Sequence, residues 1–374
     1  MNGQRPDAVV IGGGAVGCAS AWELARRGLR VVVVERGTPG AEATWAAAGM
    51  LSVLSEGERP DALLALARAS HDRYPAFLRA LREATGASVE HRALGKLRVA
   101  LSDDAAEALR REVERQWAAG VAVEWLDRAA ARQLEPSLAG TVRAAALTEA
   151  DAHVDNRRLG RALWAAAAAA GVTFRLGVPA TRVLATPGSR VSGVELASGE
   201  RIEAATVVVA AGCWSGVLGG LPRALPVQPV RGQMLAVEAV PPLLRRIVMT
   251  SGCYLIPTAE GRVLIGATVE RAGFDRRVTP AGVRDLVNAA VAAIPSLADA
   301  AIVETWAGLR PGTPDDLPIL GQDPDVAGLV YATGHFRHAI LLTPVTAEIV
   351  ADLVTGRPPA APLEPFSPAR FAEA

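Results

Sequence analysis

The stretch DAVVIGGGAVGCASAWELARRGLRVVVVERG, residues 7–37, decides the fold of this 374-residue chain. It begins with a short apolar, β-branched run that predicts a buried parallel strand. A glycine-rich turn follows, and then a helical stretch over residues 15–27 that Gly28 is expected to end. Residues 29–35 predict a second buried strand. Together these segments predict a complete β-α-β unit.

The glycine pattern Gly12-x-Gly14-x-x-Gly17 is typical of a dinucleotide site when a strand precedes it and a helix follows. Gly14 allows the backbone to approach a pyrophosphate, and the free N–H groups of the helix N-terminus suit phosphates. Glu35, at the end of the second strand, suits ribose hydroxyls and would repel the 2′-phosphate of NADP. The unit alone leaves NAD and FAD open.

The remaining pattern predicts an α/β fold in which the dinucleotide domain is interrupted by a second, mostly antiparallel domain. Residues 191–209 predict two strands joined at a Ser-Gly turn, and residues 227–269 alternate like an antiparallel sheet. Helices are expected over residues 61–85, 103–119, 156–170, 279–294 and 339–355. We expect the Rossmann-like domain to comprise residues 1–85, 150–220 and 300–374, and the β-sheet domain, which also holds helices, to comprise 86–149 and 221–299.

Composition excludes several classes of protein. Net charge is zero, so no electrostatic field favours nucleic acid or an anionic membrane. The three cysteines are far apart, and no Cys/His spacing suggests a metal site. No stretch predicts a signal peptide or a membrane span. We therefore expect a cytoplasmic protein without metal, nucleic-acid or membrane partners.

Two runs of small residues point to a long cofactor that lies against the backbone. ATWAAAGML, residues 43–51, follows the ribose-binding strand, and TVVVAAGCWSG, residues 206–216, ends a buried strand. With PVRGQML, CYLIPTAEGRVLIGATVE, WAGLRPGTPDDLPILG and GHFRHAILLTPVTAEIV, in this order, the chain resembles the flavin-dependent amine oxidases of the D-amino acid oxidase and sarcosine oxidase superfamily. The resemblance covers almost the whole chain. It implies a two-domain protein with non-covalent FAD that oxidises a small amino acid with O2.

The resemblance also assigns the cofactor-binding residues. The phosphate loop and the residues after the second strand should hold the AMP half, the small-residue run should line the path to the flavin ring, and the backbone of Val183 should meet the adenine. Gly334 should end a strand near the ring, and the next residues should border it, where the following helix presents its positive end. The full set is Gly12, Gly14, Ala15, Val16, Gly17, Glu35, Arg36, Ala43, Thr44, Ala48, Gly49, Met50, Val183, Gly334, His335, Phe336, Arg337, His338, Ala339, Ile340 and Leu341.

For the substrate, the resemblance singles out Arg310 and Tyr254 as the catalytic pair that orients the carboxylate. A guanidinium can hold a carboxylate bidentately, and a phenol can donate a further hydrogen bond. Arg337 and Val269 are expected beside them. The sequence departs from the family pattern at Val269, where the comparison enzyme has Met. It departs again at Gly252, where that enzyme has His, and at His338 and Ala339, which replace an Asn-Gly pair. These departures leave glycine, sarcosine and small D-amino acids open as substrates.

Three alternatives remain open at this point. An FAD-dependent D-amino acid dehydrogenase that passes electrons to a quinone would share the cofactor motifs. An NAD-dependent dehydrogenase is the second alternative, and the motif at residues 334–341 argues against it because that motif resembles one that borders a flavin ring. A non-catalytic flavoprotein is the third, and the presence of Arg310 argues against it. The family resemblance further implies a homo-oligomer, commonly a tetramer, and a possible transfer of product to a thiazole synthase of thiamine biosynthesis.

Overall fold

The computed structural model describes residues 5–53, 62–185, 188–238 and 243–371, and a six-stranded sheet lies at its centre. The strands of this sheet are β1 (Ala8–Ile11), β2 (Val31–Glu35), β9 (Thr173–Leu176), β13 (Thr206–Val209), β19 (Ile319–Gln322) and β20 (Leu329–Thr333). Their order is β19-β20-β13-β1-β2-β9, and only β19 is antiparallel to its neighbour. Strand β1 is fully buried, because helices or other strands cover both faces of the sheet.

Helices cover this sheet and the second one. They are α1 (Ala15–Arg26), α2 (Ala43–Ala46), α3 (Ala62–Thr85), α4 (Asp103–Ala118), α5 (Arg128–Leu134), α6 (Asn156–Ala169), α7 (Pro280–Ala293) and α8 (Ala339–Val354). Apolar faces of α1, α3, α6 and α8 share one buried cluster with β1 and β20. Short 3-10 helices lie at Gly212–Val217, Pro295–Asp299, Glu364–Phe366 and Pro368–Phe371.

The second large sheet has eight strands and its own core. They are β5 (Lys96–Ala100), β6 (Glu124–Asp127), β7 (Ala144–Thr148), β14 (Gln228–Glu238), β15 (Ile247–Met249), β16 (Tyr254–Pro257), β17 (Arg262–Gly266) and β18 (Ile302–Gly312). Their order is β18-β14-β17-β16-β15-β5-β7-β6. All neighbours are antiparallel except β15 and β5. Helix α7 packs on this sheet through Leu286 and Ala290.

Two small antiparallel sheets connect the large ones. One contains β3 (Met50–Leu51), β4 (His91–Arg92) and β8 (Ala152–Val154), and the other contains β10 (Ala180–Ala185), β11 (Val191–Leu196) and β12 (Arg201–Glu203). The first holds the segment after α2 against α6, because β3 pairs with β8 just before that helix begins. This arrangement fixes the small-residue run between the two large sheets.

The predicted α/β fold class is confirmed, whereas one local prediction is wrong. Residues 191–209 form three strands rather than two: β11 and β12 make a hairpin at Gly199, and β13 belongs to the central sheet. The chain leaves the hairpin at Ala204, whose N–H still bonds to Ser192, before it enters the core. Residue 61, the expected start of α3, lies outside the described residues.

The domain division stays a proposal, with one strand to reassign. Strand β18 pairs along its length with β14 in the eight-stranded sheet, although residues 300–374 were assigned to the dinucleotide domain. A division that follows the sheets therefore gives residues 302–312 to the substrate domain. Sequence could not place this strand, because its partner lies some seventy residues earlier and strand pairing is decided by tertiary contacts.

Candidate active site

A cavity of about 620 Å³ runs from the glycine-rich loop to the eight-stranded sheet. One end lies at the carboxyl ends of β1, β2 and β13, where open α/β sheets bind ligands. The other end is formed by β14, β16 and β18. The predicted site residues that line it are Gly12, Gly14, Ala15, Val16, Glu35, Arg36, Ala43, Thr44, Ala48, Gly49, Met50, Tyr254, Val269, Arg310, His335, Phe336, Arg337, His338, Ala339, Ile340 and Leu341.

Three predicted residues lie outside this lining. A Cβ on Gly17 would be 1.9 Å from the carbonyl oxygen of Gly12, so this glycine permits close packing of helix and strand. Gly334 has a φ of +69° and turns the chain out of β20. Val183 is buried within β10, and its N–H bonds to Gly219. The residues of that segment that line the cavity are Pro179, Ala180 and Thr181, and a contact between the Val183 backbone and the adenine stays a prediction.

The glycine loop leaves its backbone open to the cavity. Gly12 has a φ of +104°, and a Cβ there would lie 2.4 Å from the Ala210 carbonyl oxygen. At Gly14 a Cβ would meet only Thr44 Oγ1 at 3.4 Å, so the space beside it belongs to the cavity. The first N–H groups of α1 have no intrahelical acceptor, and Ala15 donates to Thr44 Oγ1 at 2.9 Å. This loop suits a phosphate at the start of α1.

Glu35 is held by the loop that it faces. Its carboxylate accepts from the N–H of Gly13 at 2.7 Å and from that of Gly37 at 2.8 Å. The group is buried at the cavity wall, and its second lone pairs can accept from ribose hydroxyls. Arg36 is exposed and lies over the ring of Trp214 at 4.4 Å, so it forms the outer rim of this end.

The small-residue run lies close to the cavity because two glycines and an asparagine hold it there. A Cβ on Gly49 would be 1.9 Å from the Val154 carbonyl oxygen, and one on Gly308 would be 2.3 Å from Ala46 Cβ. Asn156 Nδ2 donates to the carbonyl oxygen of Thr44 at 2.7 Å. The backbone of this run can therefore lie against a long ligand.

Arg157 fixes the same run from outside, and sequence reasoning missed it. Its guanidinium lies 3.9 Å from the ring centre of Trp45 and 4.9 Å from that of Trp306, and it pairs with Glu304 at 2.9 Å. These residues come from α6, α2 and β18, so the cluster joins the cofactor side to the strand that carries Arg310. Such a contact leaves no signal in spacing, since its members are far apart in the chain.

The start of α8 faces the middle of the cavity. The first intrahelical bond runs from Leu342 to His338, so the N–H groups of residues 339–341 have no intrahelical acceptor. They can stabilise negative charge on a bound group. His335 is buried, its Nε2 lies 3.1 Å from Thr346 Oγ1, and burial lowers its pKa to about 3. The ring is therefore neutral at pH 7.

Arg310 and Tyr254 meet at the opposite end. Arg310 Nη1 donates to the carbonyl oxygen of Thr268 at 3.1 Å, and the remaining donors face the cavity. Burial lowers the pKa of Arg310 and raises that of the adjacent Tyr254 hydroxyl, although a guanidinium keeps its charge. A Cβ on Gly232 would lie 2.4 Å from the Arg310 guanidinium, so this glycine makes room for it. The pair is the cationic, hydrogen-bonding site that a carboxylate requires.

The other substrate-side residues divide into two groups. Arg337 is exposed to the cavity and lies 4.9 Å from the ring centre of Phe336, and Val269 is 54% exposed at the cavity wall. Gly252 also lines the cavity, but a Cβ there would point at Ala289 of α7, 3.0 Å away. The absence of a side chain at position 252 therefore avoids a close contact with α7 and enlarges the site less directly.

The cavity fits FAD. It is long, its two helix N-termini are those of α1 and α8, and its glycine loop has room for a pyrophosphate. None of the three cysteines is in the segment at 334–341 that would border the ring, and a non-covalent cofactor stays a prediction. Across residues 5–53, 62–185, 188–238 and 243–371, no His, Cys, Asp and Glu cluster could hold a metal ion. No helix of that part of the chain is long and apolar enough to cross a membrane.

Comparisons with known proteins agree with this site. The family model described as FAD dependent oxidoreductase matches residues 7–353. A glycine oxidase of Geobacillus kaustophilus is 38% identical over 97% of this chain and 96% of its own length. Its crystal structure superposes with a TM-score of 0.92, covering 97% of this chain and 98% of that one.

Two further relatives carry other names. The bifunctional protein ThiO/ThiG of Trichormus variabilis is 38% identical over 98% of this chain, which spans 55% of that protein. The structure of an iminodiacetate oxidase from Chelativorans sp. BNC1 has a TM-score of 0.86 at 28% identity, with 96% of this chain and 98% of that chain covered.

Proposed function

The chain belongs to the FAD dependent oxidoreductase family, and from that premise we propose that it is an oxidase of glycine and other small amino acids, including sarcosine and small D-amino acids. It uses FAD and an amino acid substrate, as its glycine oxidase relatives imply. With glycine the products are glyoxylate, ammonia and H2O2, formed from one O2 and one water.

Arg310 carries the substrate half of the proposal. It lies in the cavity at the end away from the glycine loop, and no carboxylate of the described residues lies within ion-pair distance of it. A desolvated guanidinium without a carboxylate partner in the protein favours an anionic ligand, and bidentate geometry selects a carboxylate. The Tyr254 hydroxyl, kept protonated by its raised pKa, donates a further bond.

The chain's residues also set the protonation state of the substrate amine. Arg310 and Arg337 are cations at the same end of the cavity, and positive neighbours lower the pKa of an amine. The substrate is therefore held with a neutral amine, which makes a general base unnecessary. The titratable groups there support this reading, because His335 is bound to Thr346 and Tyr254 stays protonated.

FAD, when bound, accepts the two electrons that the amino acid loses. The protein's part is orientation and electrostatics: Arg310 and Tyr254 fix the carboxylate, and the N-terminus of α8 favours negative charge in the middle of the cavity. The cavity wall beside Val269 is open enough for a methyl group on the amine or the α-carbon, which is why we include sarcosine and D-alanine.

The experiment is a steady-state assay in air with glycine and no added electron acceptor. We expect equal amounts of H2O2 and glyoxylate. If an added quinone is reduced and H2O2 is absent, the acceptor assignment fails and the dehydrogenase alternative replaces it. If neither product forms from glycine, sarcosine or D-alanine, the substrate assignment fails.

We also propose an assembly, a partner and a location for this protein. The relative in which a matching segment forms part of a ThiO/ThiG protein supports a transfer of product to a thiazole synthase. A homotetramer remains an implication of the family resemblance, and light scattering of the purified protein would decide it. The cytoplasmic location is likewise a proposal, and fractionation of cells that contain the protein would decide it.

A further inference from the structure

The substrate end of the cavity holds two guanidinium groups, and the described residues neutralise neither. No carboxylate of this part of the chain lies within 4.0 Å of Arg310 or Arg337. The neighbouring Arg231, by contrast, is paired with both Glu270 and Asp275. The fold thus supplies counter-ions to an adjacent arginine but leaves these two cations directed at the cavity.

The carboxylates elsewhere in the cavity are already engaged. Glu35 accepts from two backbone N–H groups at the nucleotide end. Glu42 pairs with Arg276 at 2.6 Å. An anionic ligand at the substrate end therefore meets two uncompensated positive charges. A single carboxylate bound to Arg310 would leave the charge of Arg337 without a counter-ion.

A backbone hydrogen bond joins the two segments that carry these cations. The N–H of Phe336 donates to the carbonyl oxygen of Pro311 at 3.0 Å, and these residues are the direct neighbours of Arg337 and Arg310. Phe336 has a φ of +46°, and its ring supports the Arg337 guanidinium at 4.9 Å. The two cations are close enough to repel each other, and the charge of Arg337 contributes to the lowered pKa of Arg310.

We propose that Arg337 binds a second carboxylate of the substrate, so that the preferred substrates are small amino acids that carry two carboxylates, with the amine between the two arginines. This inference rests on the proposed function, since it places the α-carboxylate on Arg310. Val269 is 54% exposed at the cavity wall, which leaves that end of the cavity open to the additional group. The alternative is that Arg337 only balances charge on the reduced cofactor, which would not depend on the substrate's second group.

The test compares matched substrates. Iminodiacetate has a carboxymethyl group on the nitrogen of glycine, and its mono-amide has the same shape without the second charge. We expect kcat/KM of the holoenzyme for iminodiacetate to exceed that for the mono-amide by about tenfold to a hundredfold, less than for a fully desolvated charge pair because Arg337 is exposed to the cavity. D-Aspartate against D-asparagine tests the same charge on the side chain instead of the amine.

The variants assign the effect to Arg337. In Arg337→Gln the ratio of the two kcat/KM values should fall to about one, and Arg337→Lys should restore part of it. A wild-type ratio at or below one with both substrate pairs, or a ratio that Arg337→Gln leaves unchanged, would overturn the proposal.

Binding separates this proposal from the proposed function. Iminodiacetate and its mono-amide are titrated against the visible absorbance of the bound flavin, and their dissociation constants are compared in wild type and Arg337→Gln. If no substrate is oxidised but iminodiacetate binds more tightly through Arg337, the subsite stands and the oxidase assignment fails. If glycine is oxidised but the dissociation constants show no charge preference, the subsite fails alone.

Discussion

Replacement of Arg310 by methionine tests the carboxylate site, because it keeps the aliphatic stem and removes the guanidinium. Loss of one partner of a desolvated charge pair costs roughly 2–5 kcal/mol. At about 1.4 kcal/mol per factor of ten, kcat/KM for glycine should fall by roughly 30-fold to 4000-fold. The loss should therefore affect kcat/KM and leave the stability of the fold unchanged.

The stability of Arg310→Met should stay close to that of the wild type. The guanidinium donates to the Thr268 carbonyl oxygen, and one such bond contributes about 1 kcal/mol. Burial lowers the pKa of Arg310, so holding the cation there already costs free energy that the methionine would recover. We expect a yellow protein with a melting temperature within a few degrees of wild type.

Two further variants complete the test. Arg284→Met removes an exposed arginine of α7 and should change neither activity nor stability. Gly232→Ala keeps Arg310 but places a methyl group within 2.4 Å of its guanidinium, so it should raise KM by displacing that group. The reasoning would be refuted if Arg310→Met kept the wild-type kcat/KM, or if its activity fell only together with flavin content and melting temperature.

Three other predictions concern the cofactor half and stability. Gly14→Ala should fold but weaken FAD binding by roughly tenfold or more in a flavin titration, whereas Gly17→Ala should lower the melting temperature sharply, because its Cβ would meet a carbonyl oxygen at 1.9 Å. The pKa of His335 is about 3 in the folded chain, so on acidification the unfolded chain binds a proton at this residue first. The free energy of unfolding should therefore fall by about 1.4 kcal/mol per pH unit as the pH drops from about 6.5 toward 3. Urea unfolding should show a smaller dependence of this free energy on pH in His335→Gln. Arg157→Met should cost about 1–3 kcal/mol of unfolding free energy and loosen FAD, and the more exposed Arg158→Met is its control.

Local pattern was sufficient for the nucleotide half of the site. The unit over residues 7–37 is predicted to within two residues, because a buried strand, three glycines and a helix stop are all encoded within neighbouring positions. The same holds for the start of α8. These features depend on contacts within short segments, and their periodicity is visible in one sequence.

The errors concern contacts between distant segments. The role of Gly252 was judged by which side chain is missing, whereas its Cβ direction faces Ala289. Arg157 was not predicted at all, because the two tryptophans that surround it come from other elements.

The most direct measurement for the central claim is an anaerobic titration of the purified holoenzyme with glycine while the visible absorbance of the oxidised flavin is followed. We predict complete bleaching with one glycine consumed per flavin, recovery of the absorbance when air is admitted, and release of H2O2. A colourless purified protein, or a bound flavin that stays oxidised with glycine, sarcosine, D-alanine and iminodiacetate alike, would contradict it.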